Sequence, residues 1–584
     1  MEKYLVLAAV FTLMLANCVS ANMVKNGGFE SMDGWIASDP ALVSLSSDAV
    51  EGQSSLKVTS APNAPEGTES TSVSRIIDIK EFDPQGEYRM QFRIRSDRFP
   101  QEYNVFMGLL QGDQWPANIG FEWRQVGPQW QDVQFDFRDV NTVVTAVKLM
   151  IQVKAPGSIW IDDLRIVKLP KGTIGAEERL LKDLPKYKGT SEFVKITPDR
   201  RFIVKGKPFF PIGAWGLDFP NEKVLRDMRD CGFNLTGTGH LYTKGAEGVK
   251  ALLDQAQSYG LMVKGVLRFG VRGETPEALA EVERYKETFK PILEVTKSHP
   301  AFFAYDIADE PAWIGFNIPA FAEGAHFLRT SDPNHPIFSN QAPRQSIELF
   351  KRWYRFVDIG GSDIYPWWNG ELDKHSDLPN KTYSVVGDEC VKNLKAIGPG
   401  KPVVMTIQAF GWSDRERNPQ PTDPKGYGYP PQNLQRFMAY DAITSGATGI
   451  LFFQDMRYAD ESGNRLNEKV KPVSLELSAI HDVLASATTT TSGVKSLDKR
   501  IKLITKKLGK DLYIIAVNTT GESVAANIGI PAAGGTWRVL FEGRNAVQKK
   551  NAITETFEPW DVNIYTNCRN QSLLQQFEQK AKCD

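Results

Sequence analysis

Asp309-Glu310-Pro311 is the point in this sequence where residue types and spacing bear most directly on proton chemistry. It follows the apolar run Phe302–Asp306, and a proline placed directly after an acid stops a strand and fixes the backbone beside it. Glu310 then stands at a rim, and a neighbouring Asp309 charge raises its proton affinity, which suits a general acid or base. The plainer reading is an acid that ends a strand and caps the next helix. It accounts for Glu310 alone but not for its company.

That company lies at the ends of other strand-like runs: Trp215, His240, Arg268, Asp363 followed by Tyr365-Pro366, Gln408 before Trp412, and Gln454-Asp455. Converging carboxylates repel and lose hydration, so packing alone is a poor reason to gather them. Asp363 is the favoured second carboxylate, with Asp455 and Glu389 behind it. A structural Asp buttressing the Tyr365-Pro366 turn is its other reading. His240 can touch substrate or simply be hydrogen-bonded in the wall; Arg268 can pair with Glu310 or Asp309, or receive an acidic group. Trp215, Trp313, Trp367, Trp368 and Trp412 offer flat faces after strands. The sequence carries no metal-ligand spacing, P-loop, Gly-x-Ser-x-Gly or dinucleotide fingerprint.

Positioning such residues requires strands that all end on one side. Strand-like runs at Phe209–Trp215, Asn234–His240, Met262–Phe269, Phe302–Asp306, Ile337–Asn340, Asp358–Ile364, Val403–Gln408 and Gly449–Phe453 alternate with helical periods. Val249, Leu252, Leu253 and Ala256 have helical spacing, Thr275-Pro276 starts a helix, and the last helix lies near Leu475–Leu484. Mainly apolar strands separated by helices predict a (β/α)₈ TIM barrel over residues 193–486, with a doubly wound sheet as the alternative.

The flanks read differently. Residues 22–169 alternate apolar and polar with period two, as in Tyr88-Arg-Met-Gln-Phe-Arg-Ile and Trp130-Gln-Asp-Val-Gln-Phe-Asp-Phe, which predicts an antiparallel β-sandwich. A Lys-rich linker spans 170–192 and a Ser/Thr tract 487–493. A small C-terminal β-sandwich is expected over 494–566 and a tail over 567–584. Lys3, the apolar run Leu5–Ala16 and Val19-Ser20-Ala21 read as an export signal covering 1–21, in preference to a lipoprotein site at Cys18. Secretion follows as an expectation, extracellular or periplasmic. The 69 Lys and Arg against 70 Asp and Glu argue against nucleic acid as partner, and no apolar stretch has the length of a membrane span. Five cysteines, one of them inside the signal, are too few for a disulfide framework, and a straight helix between Cys568 and Cys583 would hold those two about 20 Å apart.

Two resemblances attach to these residues. Val24-Lys-Asn-Gly-Gly-Phe-Glu30 with Trp35, and the closing Ile159-Trp-Ile-Asp-Asp-Leu, resemble jelly-roll carbohydrate-binding modules. That likeness implies a structural calcium at Glu30 and Asp162. Asp309-Glu310-Pro311 resembles the Asn-Glu-Pro that ends strand four in clan A glycoside hydrolases, and Thr556-Phe-Glu-Pro-Trp-Asp-Val-Asn-Ile-Tyr565 resembles the last strand of the small sandwich that follows many glycosidase barrels. This second likeness implies Glu310 as general acid/base, Asp309 where an Asn contacts the sugar 2-hydroxyl, and no cofactor for catalysis. It breaks at strand seven, where the clan places a nucleophilic Glu and this chain has Gln408. An amide cannot form the glycosyl ester.

The expectation is therefore a secreted glycoside hydrolase acting on a β-linked oligo- or polysaccharide. Its second carboxyl would stand about 5–5.5 Å from Glu310 for retention or about 6.5–9.5 Å for inversion. Trp215, His240, Arg268, Tyr365, Gln408, Trp412, Asp309 and Asp455 would be its substrate contacts. The alternative is a non-catalytic carbohydrate-binding protein on a degenerate barrel, for which Gln408 is the argument. A lyase or transglycosylase on the same frame is a third.

Overall fold

Period-two alternation buries one face of each strand, and the N-terminal region pairs two such faces. In the computed structural model one sheet runs Ile36–Ala37, Glu69–Asp78, Ala146–Lys154, Gln101–Gln111, Gln114–Ile119, with Arg124–Val126 also on Gln101–Gln111. The other runs Val43–Ser46, Ser55–Thr59, Ser158–Leu169, Glu87–Ser96, Gln131–Arg138. All pairings are antiparallel, and the alternate residues Tyr88, Met90, Phe92 and Ile94 meet Val147, Leu149, Ile151 and Val153 in one core. The structure describes residues 22–582 apart from 113, 122, 139, 141–143, 170–180, 191, 216–218, 272–275, 346, 369–370, 373–375, 412–429, 454–469, 490–492 and 532–534. The export signal, Thr275, Trp412, Gln454, Asp455 and Cys583 lie outside the described residues.

The chain divides into two compact units, the first holding the sandwich with Val271–Glu281 and Trp313–Pro319, the second holding the remainder. The second unit contains a closed barrel of eight parallel strands, so the doubly wound alternative is excluded. Its strands, numbered in words from one to eight, are Ile212–Trp215, Leu235–His240, Met262–Val266, Phe302–Asp309, Ile337–Gln341, Ile359–Ile364, Met405–Gln408 and Ile450–Phe453. Strand eight closes on strand one through Ile212↔Ile450 to Trp215↔Phe453. Two C-terminal ends differ from expectation by three residues. Strand three stops at Val266, leaving Arg268 just beyond it, and strand four continues to Asp309.

A three-stranded sheet, Val194–Ile196, Phe202–Val204 and Lys207–Phe209, plugs the N-terminal end of the barrel. Val194, Phe202 and Val204 share a buried cluster with Leu235, Met262, Ile359, Val404 and Leu451. Chemistry is thus confined to the opposite, C-terminal mouth.

The C-terminal region is one eight-stranded antiparallel sheet between Lys495 and Thr566. Residues from both of its ends, Ile514 and Ile528 among them, join a single core with Trp537 and Phe557, so the sheet curls into a small sandwich. Lys502 joins it to helix Gln432–Thr444 through buried Asp441 at 2.7 Å. The tail forms helix Gln571–Lys580, capped by Asn570. Cys231, Cys390 and Cys568 are free thiols. Among the described residues no helix is long and apolar enough to cross a membrane.

Candidate active site

Moving up the barrel from its plug, apolar residues give way to a buried ion pair. Lys264 of strand three bonds Asp306 of strand four, both almost wholly out of solvent. The ammonium also lies 4.2 Å from the Trp215 ring centre and 4.6 Å from that of Phe338. Burial lowers the proton affinity of Lys264, and the Asp306 charge opposes that shift. Trp215 is therefore buried against a cation and Phe453.

Strand four reaches the mouth through a β-bulge. Its register on strand five runs Asp306↔Phe338, then Ala308↔Ser339 and Asp309↔Asn340, which leaves Ile307 as the extra residue. Phe338 and Asn340 are two apart and share a face, so the bulge turns Asp306 and Asp309 to that same face although they are three apart. Asp309 meets Arg268 at 3.2 Å, which resolves the two partners open to that arginine. Burial and the Asp306 charge raise the Asp309 pKa, against Arg268, Lys264 and an Asn340 hydrogen bond.

Glu310 follows with φ of 48°, in the left-handed region, a conformation that costs a non-glycine residue about 1–3 kcal/mol. Its N–H still donates to the Asn340 carbonyl at 2.9 Å, and Pro311 begins the short helix Pro311–Ile314. The proline therefore does what its position predicts: the ladder ends and the Glu310 backbone is held on both sides.

Asp363, on strand six, is buried and accepts a hydrogen bond from Asn340 Nδ2 at 2.7 Å. The same Nδ2 donates to Asp309 Oδ1 at 3.2 Å. The pKa of Asp363 is raised well above the ordinary carboxylate range by burial first, then by the Glu310 and Asp309 charges, with the Asn340 bond opposing. Three acids from two strands thus feel one another, and Asn340, which sequence reading missed, touches all three. Lys264 was missed as well, although a lysine inside the apolar run Met-Val-Lys-Gly-Val was a visible anomaly.

Gln408 ends strand seven fully buried. Its Oε1 accepts from the Trp367 N–H at 2.9 Å, and its Nε2 donates to the carbonyls of Trp367 at 3.0 Å and Phe410 at 3.2 Å. The amide that was expected to meet substrate is engaged by the wall itself. Tyr365 is buried against Phe410 and Phe453, at ring separations of 5.1 and 5.4 Å. His240 ends strand two beside Tyr242, 5.3 Å between rings. Trp313 packs on the N-terminal sandwich core. Glu389 sits in helix Val385–Ile397, bonded to Ser376 at 2.7 Å and Lys392 at 3.4 Å, in the helical layer and away from the strand ends.

In the sandwich, Glu30 and Asp162 do reach one loop. Glu30 Oε1 accepts from the N–H of Gln53 at 2.9 Å and of Ser54 at 3.4 Å. Asp162 accepts from the N–H groups of Val50, Glu51 and Asp163 at 2.7–3.0 Å. N–H donors satisfy these carboxylates in the way a cation would, and among the described residues no three His, Cys, Asp or Glu side chains group as a metal site. Through these bonds the pair pins residues 50–54 to the sheet.

The described residues thus form a closed barrel whose mouth gathers interacting carboxylates, with a sandwich before it and another after it in the chain. Solved structures similar to the chain include an α-amylase of Geobacillus thermoleovorans complexed with acarbose, at 9% identity and TM-score 0.42 over 64% of this chain and 99% of that one. A GH42 β-galactosidase of G. stearothermophilus is similar at 10% identity and TM-score 0.41 over 62% and 98%. A carbohydrate-binding module in complex with β-1,4-galactotriose matches at 18% identity and TM-score 0.20 over 26% and 100%. No family model matches the sequence, and no curated protein matches it either.

Proposed function

We propose that this chain is a secreted glycoside hydrolase, with Glu310 as general acid/base and Asp363 as the carboxyl opposite it. One observation carries the reading: Glu310 and Asp363, from the C-terminal ends of strands four and six, lie close enough for the charge of one to raise the proton affinity of the other. Paired carboxyls of unequal environment are what glycosidic cleavage requires. Glu310 is the more exposed and is held at the rim, so it gives a proton to the leaving oxygen. Asp363 either attacks the anomeric carbon, after which Glu310 takes a proton from the incoming water, or itself takes the proton of the attacking water. Arg268, Asp309 and His240 border the mouth and bind sugar hydroxyls. A β-linked oligo- or polysaccharide as substrate, and secretion through residues 1–21, complete the reading.

The test is turnover of the full chain on aryl glycosides and polysaccharides. Wild type should cleave at least one of them, and Glu310→Gln should slow that cleavage about 10²–10⁴-fold. An unchanged rate in Glu310→Gln removes the acid assignment. A second reading, a carbohydrate-binding protein without turnover, is favoured by the buried Gln408 amide at the clan's nucleophile position. Binding of a glycan that is never cleaved would establish it.

A further inference from the structure

Asn340 contacts three acids at the mouth. Its carbonyl oxygen accepts from the Glu310 N–H at 2.9 Å, and its Nδ2 donates to Asp309 Oδ1 at 3.2 Å and Asp363 Oδ1 at 2.7 Å. Nδ2 carries two hydrogens, and both are used. The amide is flanked by carboxylate acceptors, so only its NH₂ side can face them. Its Oδ1 is buried with no protein partner among the described residues. That oxygen is the single unsatisfied atom of a residue wholly removed from solvent, a state that buried amides rarely keep.

We propose that Asn340 is a positioning residue that sets how the acid pair shares its proton, by fixing Asp363 Oδ1 as an acceptor and leaving Asp363 Oδ2 and the Glu310 carboxyl to hold it. The inference rests on the hydrolase reading only for the use made of that proton. Hydrogen bonds to the charged form lower a carboxyl's pKa, so losing them raises it. The charged groups around Asp363 are Glu310 and Asp309, with Arg268, Lys264 and Asp306 behind Asp309. Strand seven offers only the neutral Thr406 and Gln408 beside it.

Infrared titration of the full chain reads this without turnover. The protonated-carboxyl C=O band lost in Asp363→Asn identifies the group. In Asn340→Ala its midpoint should rise by about one pH unit. In the near-isosteric Asn340→Asp, which replaces two donors with a fourth acid, it should rise further. The limb of any pH–rate profile that follows Asp363 should move with the band. A midpoint that stays in place in both variants overturns the proposal, even if Glu310→Gln has abolished cleavage. A shifted midpoint in a chain that cleaves nothing upholds it while the hydrolase reading fails. Should Asn340→Ala not fold, the Asn340→Asp midpoint alone decides.

Discussion

Strands four and seven end on the same side of one closed sheet, and they end in opposite ways. Strand four reaches the mouth through a bulge, turns two aspartates onto one face, and holds Glu310 in a left-handed conformation. Asp309 there has a raised proton affinity, and the Glu310 and Asp309 charges raise that of Asp363 across the mouth. Strand seven ends in Gln408, buried, with three hydrogen bonds to neighbouring main chain. One end tolerates unfavourable charge and backbone geometry; the other has every polar group of its terminal side chain answered. On the proposed reading, strain gathered at one place and relieved at its counterpart separates a working end from a supporting one.

Substitutions can break that contrast. The largest effect is expected at Glu310, where Gln preserves shape and should cost about 10²–10⁴ in rate with little change in urea midpoint. Gln408→Glu comes next. A carboxylate there would face the carbonyls of Trp367 and Phe410, and an uncompensated buried charge costs about 3–5 kcal/mol, readable by urea denaturation. If this variant instead keeps its stability and gains turnover, the two ends are equivalent after all.

Asp363→Asn should act in the other direction on stability. A carboxyl whose folded pKa exceeds its unfolded value contributes stability below the unfolded value, about 3.9, and loses it as pH rises towards the folded one. Wild type should therefore fall behind Asp363→Asn as pH climbs from about 4 to neutrality, by about 0.5–2 kcal/mol, while the variant loses activity. Thermal melts across that range check it. Arg268→Gln should have the smallest effect. Its ion pair with Asp309 is partly exposed, so about 1 kcal/mol is expected, together with a further rise in the Asp309 pKa.

Much of this frame was legible before any coordinates. Strands announced themselves by apolar runs, and Pro311 marked where the fourth should stop. What stayed hidden depends on register between strands distant in sequence. Nothing near Asn340 reveals that it will lie beside Asp309 and Gly361, and nothing near Gln408 reveals that Trp367 will present its main chain to it. Arg268 had two partners on paper, because a one-residue bulge decides which acid turns towards it. At Glu30 and Asp162 the sequence records the carboxylates and not the N–H groups that reach them.

Ile307 adds no charge and brings no polar side chain, yet it acts on this barrel as an inserted letter acts on a reading frame. Were it to take a place in the ladder, strict alternation would send Asp309 outward among the helices and roll Glu310 inward over the Lys264–Asp306 pair. Length, composition and hydrophobic content would be the same. The identity of the inward-facing acid is thus encoded by a residue that is itself chemically mute.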